Sequence, residues 1–285
     1  MYNVERKALI MSMLEKDNVV SVAELAEMLE ISKETVRRDL RELEQEGLIK
    51  RTHGGAVSES PSNSMSEHPF TVREIQQYAE KNIICRKAAQ YVQDGETIFV
   101  DNSSTTINLL KHINPHYQVT VITNSIRQLL ESAHLKNPNL TMICLGGVFR
   151  AKNYSISGGL ALDSARNFRP NKAFISCRSI SVSQGMSDGS IYEVETKRAL
   201  IRSAKEVIML ADHSKFQETG AVYLAELDIV TRIITDDKTD ADTLHMMAMA
   251  GVELVVAPWG KEDGDQAPSA RKRNRLRSLP GRIEP

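Results

Sequence analysis

Three arginines lie within five residues of one another near the start of this 285-residue chain. Arg37 and Arg38 precede Arg41 by four and three residues, a spacing that brings side chains together on the surface of a helix. A guanidinium can donate two parallel hydrogen bonds to a phosphate or to the edge of a guanine. The cluster therefore predicts DNA recognition. The competing interpretation is a solvated helix face without a partner.

The residues around the arginines predict how they are presented. Ser32 is an N-cap signal, because its side-chain oxygen can accept a hydrogen bond from the free N–H groups of a new helix. Apolar residues at i, i+4 and i+7 from Val36 predict a buried stripe on the opposite side of that helix. A short strand pattern at 48–52 and a tight-turn pattern at 53–55 come next. This order predicts a winged helix-turn-helix that places a helix in the major groove.

The candidate DNA contacts lie on the predicted helix and wing. Arg51 lies on the wing strand, where a phosphate contact is expected. His53 is either an ordinary turn residue or a contact from the wing to the phosphate backbone or the minor groove. The full set of candidate DNA contacts is Ser32, Lys33, Thr35, Arg37, Arg38, Arg41, Arg51, His53 and Gly54.

A second group of polar residues follows the predicted strands of the C-terminal part. Ligands of open parallel sheets bind beyond the carboxyl ends of the strands, and hydroxyls at the start of a helix can hold an anion. The pattern predicts one pocket for a phosphorylated, hydroxyl-rich ligand. Two of the threonines could instead only cap a helix, and the glycine pair could only form a turn. The candidates are Asp101, Ser103, Ser104, Thr105, Thr106, Thr123, Asn124, Gly146, Gly147, Arg150, Asp212 and Lys215.

Strand-like apolar runs alternate with amphipathic stretches beyond residue 70. This alternation predicts an α/β domain with a largely parallel sheet covered on both faces. A long helical pattern covers 70–91. The strand candidates are 97–100, 119–122, 140–145, 172–176, 207–210, 232–234 and 253–256. The helix candidates between them are 105–112, 125–134, 160–167, 192–203 and 240–250.

These patterns predict four parts of the chain. A DNA-binding domain covers 1–57, a serine-rich linker covers 58–69, and an effector-binding and oligomerisation domain covers 70–258. The polar, basic tail at 259–285 has almost nothing to bury, so it is predicted to be disordered.

Composition narrows the class of protein. The formal net charge is −1, so DNA affinity has to come from local clustering of charge. There is no signal-peptide pattern and no run of about 20 apolar residues, which predicts a cytoplasmic protein without a membrane span. Three widely spaced cysteines predict reduced, buried thiols, with Cys144 in the core. The histidines show no metal-binding spacing, and Asp212-His213-Ser214 is a poor triad because adjacent side chains diverge. No metal, cofactor or catalytic residue is predicted.

Several motifs resemble the DeoR family of bacterial regulators of sugar catabolism. Ser32-Lys33-Glu34-Thr35-Val36-Arg37-Arg38-Asp39-Leu40, then Leu43-Glu44, Gly47 and Arg51-Thr52-His53-Gly54-Gly55-Ala56, are similar to its DNA-binding signature. The strand-end motifs resemble its effector domain, a Rossmann-like fold similar to ribose-5-phosphate isomerase. The resemblance implies that Asp101 to Thr106 hold the phosphate and hydroxyls of the ligand and that Lys215 lies near the phosphate.

The chain departs from the family pattern at two loops. Ser103 stands where the family usually has glycine, so either the backbone approaches the ligand less closely or the serine hydroxyl itself binds. After Phe174 the family often has glycines, whereas this chain has 176–179 as Ser-Cys-Arg-Ser. Arg178 is therefore a further candidate for an anionic group of the effector.

The leading hypothesis is a repressor of a carbohydrate-catabolism operon. It would bind double-stranded operator DNA as a homo-oligomer, a dimer or a tetramer, and leave it when a phosphorylated sugar occupies the pocket. One alternative is a sugar-phosphate isomerase with an accessory DNA-binding domain, which would need a carboxylate base above the substrate. Another is an activator built from the same parts, because the sign of regulation depends on where the operator lies.

Overall fold

The structure, a computed structural model, describes residues 3–58, 69–216 and 220–259. Most of the predicted linker and all of the predicted basic tail beyond residue 259 lie outside the described residues. Residues 3–58 form the predicted winged helix-turn-helix. Its elements are α1 (Asn3–Asp17), β1 (Val19–Ser21), α2 (Val22–Met28), α3 (Lys33–Gln45), β2 (Ile49–Arg51) and β3 (Gly55–Ser58).

The small sheet of this domain has the strand order β1-β3-β2 and is antiparallel throughout. Gly55 begins β3 where that strand runs against β1. A Cβ atom at this position would lie 1.8 Å from the carbonyl oxygen of Val20. No side chain fits there, so a glycine is required to bring the wing against the helices.

The C-terminal part holds the predicted α/β domain. Its helices are α4 (Phe70–Ile75), α5 (Tyr78–Ala89), α6 (Leu109–His112), α7 (Ile126–Leu135), α8 (Gly159–Ala165), α9 (Ile191–Ser203) and α10 (Ala241–Met249). Its strands are β4 (Thr97–Val100), β5 (Val119–Thr123), β6 (Leu140–Cys144), β7 (Val148–Arg150), β8 (Ser155–Ser157), β9 (Lys172–Ile175), β10 (Ser179–Ser181), β11 (Gly185–Asp188), β12 (Glu206–Leu210), β13 (Val222–Ala225), β14 (Arg232–Asp236) and β15 (Glu253–Ala257).

All seven predicted strands pair in one parallel sheet, in the order β15-β14-β12-β9-β4-β5-β6. Consecutive residues of its central strands enter opposite cores: Phe99 belongs to one, and its neighbours Ile98 and Val100 belong to the other. Strands buried on both sides need apolar residues at nearly every position. This continuous pattern explains why the predicted bounds of these strands lie close to the observed ones.

Two local predictions are wrong, and a third holds with a change of helix type. The long helical pattern at 70–91 is broken, because Gln77 adopts a left-handed φ of 47° and separates α4 from α5. The helix predicted at 105–112 is present, but it begins as a 3-10 turn, Thr106–Asn108, before the single turn of α6. Cys144 is exposed rather than buried, since β6 is an edge strand of the sheet. Two small antiparallel sheets, β7-β8 and β10-β11-β13, have no counterpart among the predicted strands.

Two kinds of feature are absent from the described residues. No described helix is long and apolar enough to cross a membrane. No group of three or more histidine, cysteine, aspartate or glutamate side chains is placed to hold a metal ion in the described segments.

Candidate DNA-binding surface and effector cavity

The start of α3 is capped as its sequence predicts. Ser32 Oγ accepts a hydrogen bond from the Thr35 backbone N–H at 3.1 Å. Val36, Leu40 and Leu43 are buried in the core of the winged helix. These contacts fix the rotation of α3 about its axis, so its polar face turns to solvent.

The three arginines of α3 are exposed but differ in their partners. Glu34 receives a hydrogen bond from Arg41 at 2.9 Å and a weaker one from Arg37 at 3.5 Å. No hydrogen bond or ion pair to Arg38 occurs within the described residues. An arginine on the outer face of a recognition helix that makes no competing ion pair can turn to a base edge without losing an existing contact.

A buried ion pair locks α3 to α1. Arg6 donates from Nε to Asp39 Oδ2 at 2.8 Å and from Nη2 to Asp39 Oδ1 at 3.0 Å, a bidentate arrangement. The Asp39 side chain is fully buried. It lies beside the apolar stripe of α3, and its role in fixing the helix was not among the sequence predictions.

The wing carries the remaining DNA candidates. The Arg51 backbone N–H donates to Glu44 Oε1 at 3.0 Å, and its guanidinium lies 3.6 Å from the same carboxylate. His53 and Gly54 are exposed in the turn between β2 and β3. Lys33 and Thr35 lie in the first turn of α3, next to the cap.

Replacing Arg38 with alanine should weaken operator binding by about 1–3 kcal/mol and relax the base preference at one position, if its guanidinium reads a guanine edge. Fluorescence anisotropy with the operator and single-base variants measures both effects. An Arg38→Ala protein with unchanged affinity and unchanged base preference would remove Arg38 from the recognition surface.

Arg51→Ala is the matched comparison, because it removes the same charge from the wing. We expect it to weaken binding to all DNA sequences alike. The slope of log affinity against log salt concentration should fall in magnitude by about 0.9, the value for one lost phosphate contact. The difference between the two variants separates base reading from backbone contact.

In the α/β domain, the loop after β4 is organised by Asp101, which is fully buried. Its Oδ1 accepts from the Ser103 backbone N–H at 3.1 Å and from Thr106 Oγ1 at 2.8 Å. Its Oδ2 accepts from the Ser176 backbone N–H after β9 at 3.0 Å. Asp101 thus joins the ends of two neighbouring central strands and sets the shape of the loop.

Lys197 of α9 lies between the fully buried carboxylate of Asp101 and the partly exposed carboxylate of Asp188. Its Nζ is 2.9 Å from Asp101 Oδ2 and 2.7 Å from Asp188 Oδ2. Burial alone would lower the pKa of Lys197, but the two carboxylates outweigh burial and raise it. Burial alone would raise the pKa of Asp188, but the charge and hydrogen bond of Lys197 lower it. Lys197, Asp101 and Asp188 therefore form a charged network.

A small cavity of about 50 Å³, partly open to solvent, lies beside this network. Five predicted effector contacts line it: Ser103, Ser104, Thr105, Arg178 and Lys215. The side chains of Arg178 and Lys215 make no hydrogen bond or ion pair to the described residues. The cavity therefore combines a run of hydroxyls with two cations that can turn to a bound anion.

The other predicted effector contacts do not line the cavity. Asp101 and Thr106 shape its loop, and Asp212 accepts a hydrogen bond from Ser214. Asn124 donates to Asn102 of the cavity wall at 3.3 Å. Arg150 donates to Ser190 and lies 3.6 Å from Glu193 Oε1. The remaining three are Thr123, Gly146 and Gly147, at the ends of β5 and β6.

Seven lining residues were not among the predicted effector contacts: Arg73, Ser176, Cys177, Asp188, Gly189, Glu193 and Lys197. An eighth, Asn102, lies within the segment 101–106 that the family resemblance assigned to the ligand. A signal for two of them exists in α9, because Glu193 and Lys197 fall on the same helical face as the buried Leu200. Charged residues that interrupt a buried face are candidates for a site. Arg73 had no such signal in the sequence. It precedes β4, the first strand of the parallel sheet, and the tertiary structure alone brings it to the cavity.

The cavity holds no poised nucleophile among its described residues. Burial raises the pKa of the Cys177 thiol to about 12, so it stays protonated near neutral pH. Glu193 accepts hydrogen bonds from Asn102, Asn153 and Ser155. Asp101 and Asp188 are held by Lys197. The carboxylates are thus committed to structural contacts rather than placed as a base.

Two family models match the chain. The DeoR-like helix-turn-helix domain matches residues 6–62, and the DeoR C terminal sensor domain matches residues 76–237. The uncharacterised HTH-type transcriptional regulator YulB of Bacillus subtilis is 34% identical over 90% of this chain and 98% of its own length. The glycerol-3-phosphate regulon repressor of Escherichia coli is 28% identical over 89% of this chain and 99% of its own length.

A solved structure of ribose 5-phosphate isomerase from Methanocaldococcus jannaschii is a more distant neighbour. It shares 15% identity over 48% of this chain and 53% of that chain, with a TM-score of 0.36. This likeness is partial and carries no argument about activity.

Proposed function

The chain belongs to the DeoR family of HTH-type transcriptional regulators, and on this premise we propose that it represses a carbohydrate-catabolism operon and leaves its operator when a phosphorylated sugar occupies the cavity. It is a regulator rather than an enzyme, so the isomerase alternative is not retained. We place its action in the cytoplasm, where its DNA target lies.

The observation that carries this proposal is the pairing of hydroxyls in the cavity with two cations whose side chains make no hydrogen bond or ion pair to the described residues. Arg178 and Lys215 can form charge-assisted hydrogen bonds to a phosphate. Ser103, Ser104 and Thr105 place their hydroxyls along the same cavity. The curated relative from Escherichia coli is named for glycerol 3-phosphate, an ester of the same chemical class.

Lys215→Ala tests this assignment. We expect it to weaken binding of the phosphorylated effector about 10- to 150-fold, which corresponds to about 1.5–3 kcal/mol for a lost hydrogen bond to a charged group. Operator affinity without effector should stay unchanged, because Lys215 lies in the sensor domain. Titration calorimetry and operator anisotropy measure the two quantities.

Lys205→Ala is the matched control, since Lys205 is an exposed lysine of the same domain outside the cavity. It should behave as wild type in both assays. If Lys215→Ala still leaves DNA at the wild-type effector concentration, or if the dephosphorylated sugar binds equally well, the phosphate assignment is wrong.

We also propose that the protein binds DNA as a homo-oligomer. A single winged helix makes few phosphate contacts, and paired half-sites about 34–36 Å apart would supply more. Large apolar residues are exposed on neighbouring elements of the sensor domain, among them Phe149 of β7, Leu160 of α8 and Tyr192 of α9. Such residues suit contact with a second copy of the chain.

Sedimentation velocity should therefore detect a dimer or a tetramer at micromolar concentration. Leu160→Asp together with Tyr192→Asp should shift it towards the monomer if these residues form the contact. A wild-type monomer, both free and on operator DNA, would overturn the proposal.

A further inference from the structure

The short helix α4 lies between the two segments that match family models, 6–62 and 76–237. It nevertheless contacts both functional regions. Val72 and Ile75 belong to the hydrophobic core of the winged helix. Arg73, between them, lines the effector cavity.

On the DNA-binding side, α4 packs against α1. Val72 and Ile75 are buried in the same core as Ile10 and Leu14 of α1. The same α1 holds α3 through the Arg6–Asp39 ion pair. Protein interiors are close-packed, so a shift of Val72 and Ile75 cannot be absorbed without movement of α1. A continuous set of contacts therefore leads from α4 to the DNA-binding helix.

On the sensor side, Arg73 is tied to the cavity wall. Its Nη2 donates to Asn153 Oδ1 at 3.3 Å, and Asn153 Nδ2 donates to Glu193 Oε1 at 2.9 Å. The neighbouring Glu74 pairs with Arg127 of α7 at 2.8 Å. An anion in the cavity would attract the Arg73 guanidinium and compete with its contact to Asn153.

Lys81 of α5 adds a second connection between α4 and the cavity. Its Nζ donates to the carbonyl oxygens of Arg73 at 2.5 Å and Gln76 at 2.7 Å, and to Ser104 Oγ at 3.2 Å. Carbonyls at the end of a helix have no partner within the helix, so this ammonium caps α4. Burial lowers the pKa of Lys81 to about 7, and an anion beside Ser104 would favour its charged form.

We propose that Arg73 contacts the bound effector and that α4 couples the cavity to the DNA-binding domain. Arg73 and Lys81 respond to the anion, and Val72 and Ile75 carry the response into the winged-helix core. The inference rests on the function proposed above. In thermodynamic terms, the effector favours one position of α4, and operator DNA favours the other.

The test uses the full chain and inorganic phosphate as the probe, with three variants. Phosphate affinity is measured by titration calorimetry. Hydrogen–deuterium exchange with and without phosphate is followed in peptides covering α4 and residues 3–58. Arg73→Gln should weaken the binding of phosphate about tenfold or more. Val72→Ala should leave phosphate affinity within about twofold of wild type and remove the phosphate-dependent change in exchange at residues 3–58.

Val20→Ala is the matched control, because it makes the same truncation in the same core from β1 rather than from α4. It should keep both the phosphate affinity and the response in residues 3–58. Should Val72→Ala destabilise the fold, the milder Ile75→Val, with the same readouts, takes its place.

The outcomes distinguish failure of the coupling role of α4 from failure of the proposed function. If phosphate binds the wild-type protein and changes exchange at residues 3–58 as much in Val72→Ala as in Val20→Ala, the coupling role of α4 is wrong and the proposed function stands. If exchange in α4 does not respond to bound phosphate, the coupling role is again wrong. If phosphate does not bind the wild-type cavity, the proposed function fails, and the inference fails with it.

Discussion

Lys197→Met is expected to lower the free energy of unfolding of the sensor domain by about 3–5 kcal/mol at neutral pH. The substitution keeps most of the volume of the side chain but removes its charge. Asp101, which is fully buried, and Asp188, which is 14% exposed, are then both left without the cation that Lys197 Nζ supplies. A buried carboxylate without a partner is among the most costly defects in a fold.

The pH dependence of this effect has a definite sign. In wild type the pKa of Asp188 is lowered, so the stability that this carboxylate contributes is fully present above its ordinary pKa and is lost as the pH falls through the lowered pKa of the folded state. In Lys197→Met, burial without the lysine would raise the pKa of Asp188, so acid relieves the strain by protonating it. The difference in stability between the two proteins should therefore shrink as the pH falls from 7 towards 4.

Urea unfolding of both proteins at several pH values, followed by circular dichroism, measures this difference. Lys205→Met is the control, because Lys205 is exposed and makes no ion pair to the described residues. A loss for Lys197→Met no larger than that of the control, or one that grows towards acid pH, would contradict the account of the buried network.

Asp39→Ala is expected to destabilise the winged helix by about 3 kcal/mol, the lower end of the range for breaking a buried ion pair. It removes both hydrogen bonds that the Arg6 guanidinium donates to α3. The value falls at the lower end because the Arg6 side chain keeps 10% of its surface exposed and can recover some hydration. Operator binding should weaken with it, since α3 loses its attachment to α1.

Glu34→Ala provides the matched comparison on the same helix. It removes an exposed carboxylate that pairs with Arg41, and such surface pairs contribute about 0–1 kcal/mol. Thermal unfolding should separate the two variants clearly. Equal stability of Asp39→Ala and Glu34→Ala would mean that the buried pair does not hold α3 in place.

The sequence predicted much of the fold for identifiable physical reasons. The seven central strands are buried on both faces, so their apolar runs are continuous and easy to locate. The cap at Ser32 and the apolar stripe of α3 are local signals that the tertiary structure does not override. Gln77 is the opposite case. Its left-handed conformation breaks a continuous helical pattern, and the reason lies in the packing of α4 against a different domain.

The cavity was only partly predictable. Ser103 to Thr105 and Lys215 lie in the loops that follow strands β4 and β12 of the sheet, where polar residues indicate a site. Lys197 and Glu193 belong to α9, which packs against β13 of the small β10-β11-β13 sheet. The strands of that sheet are short and have little apolar pattern, so the sequence did not predict the sheet. Arg73 reaches the cavity because α4 folds back beside it. Proximity of this kind arises from topology, which spacing along the chain does not reveal.

The most direct test of the regulatory account is operator affinity of the full chain with and without phosphorylated sugars. Anisotropy with operator DNA is measured against glycerol 3-phosphate, glucose 6-phosphate and fructose 6-phosphate, each beside its unphosphorylated parent. We expect at least one ester to weaken operator binding by on the order of 5- to 150-fold, the usual range of coupling between two sites, and its parent to have no effect. A parent sugar as effective as its ester, or operator affinity unchanged by every ester, would contradict the account.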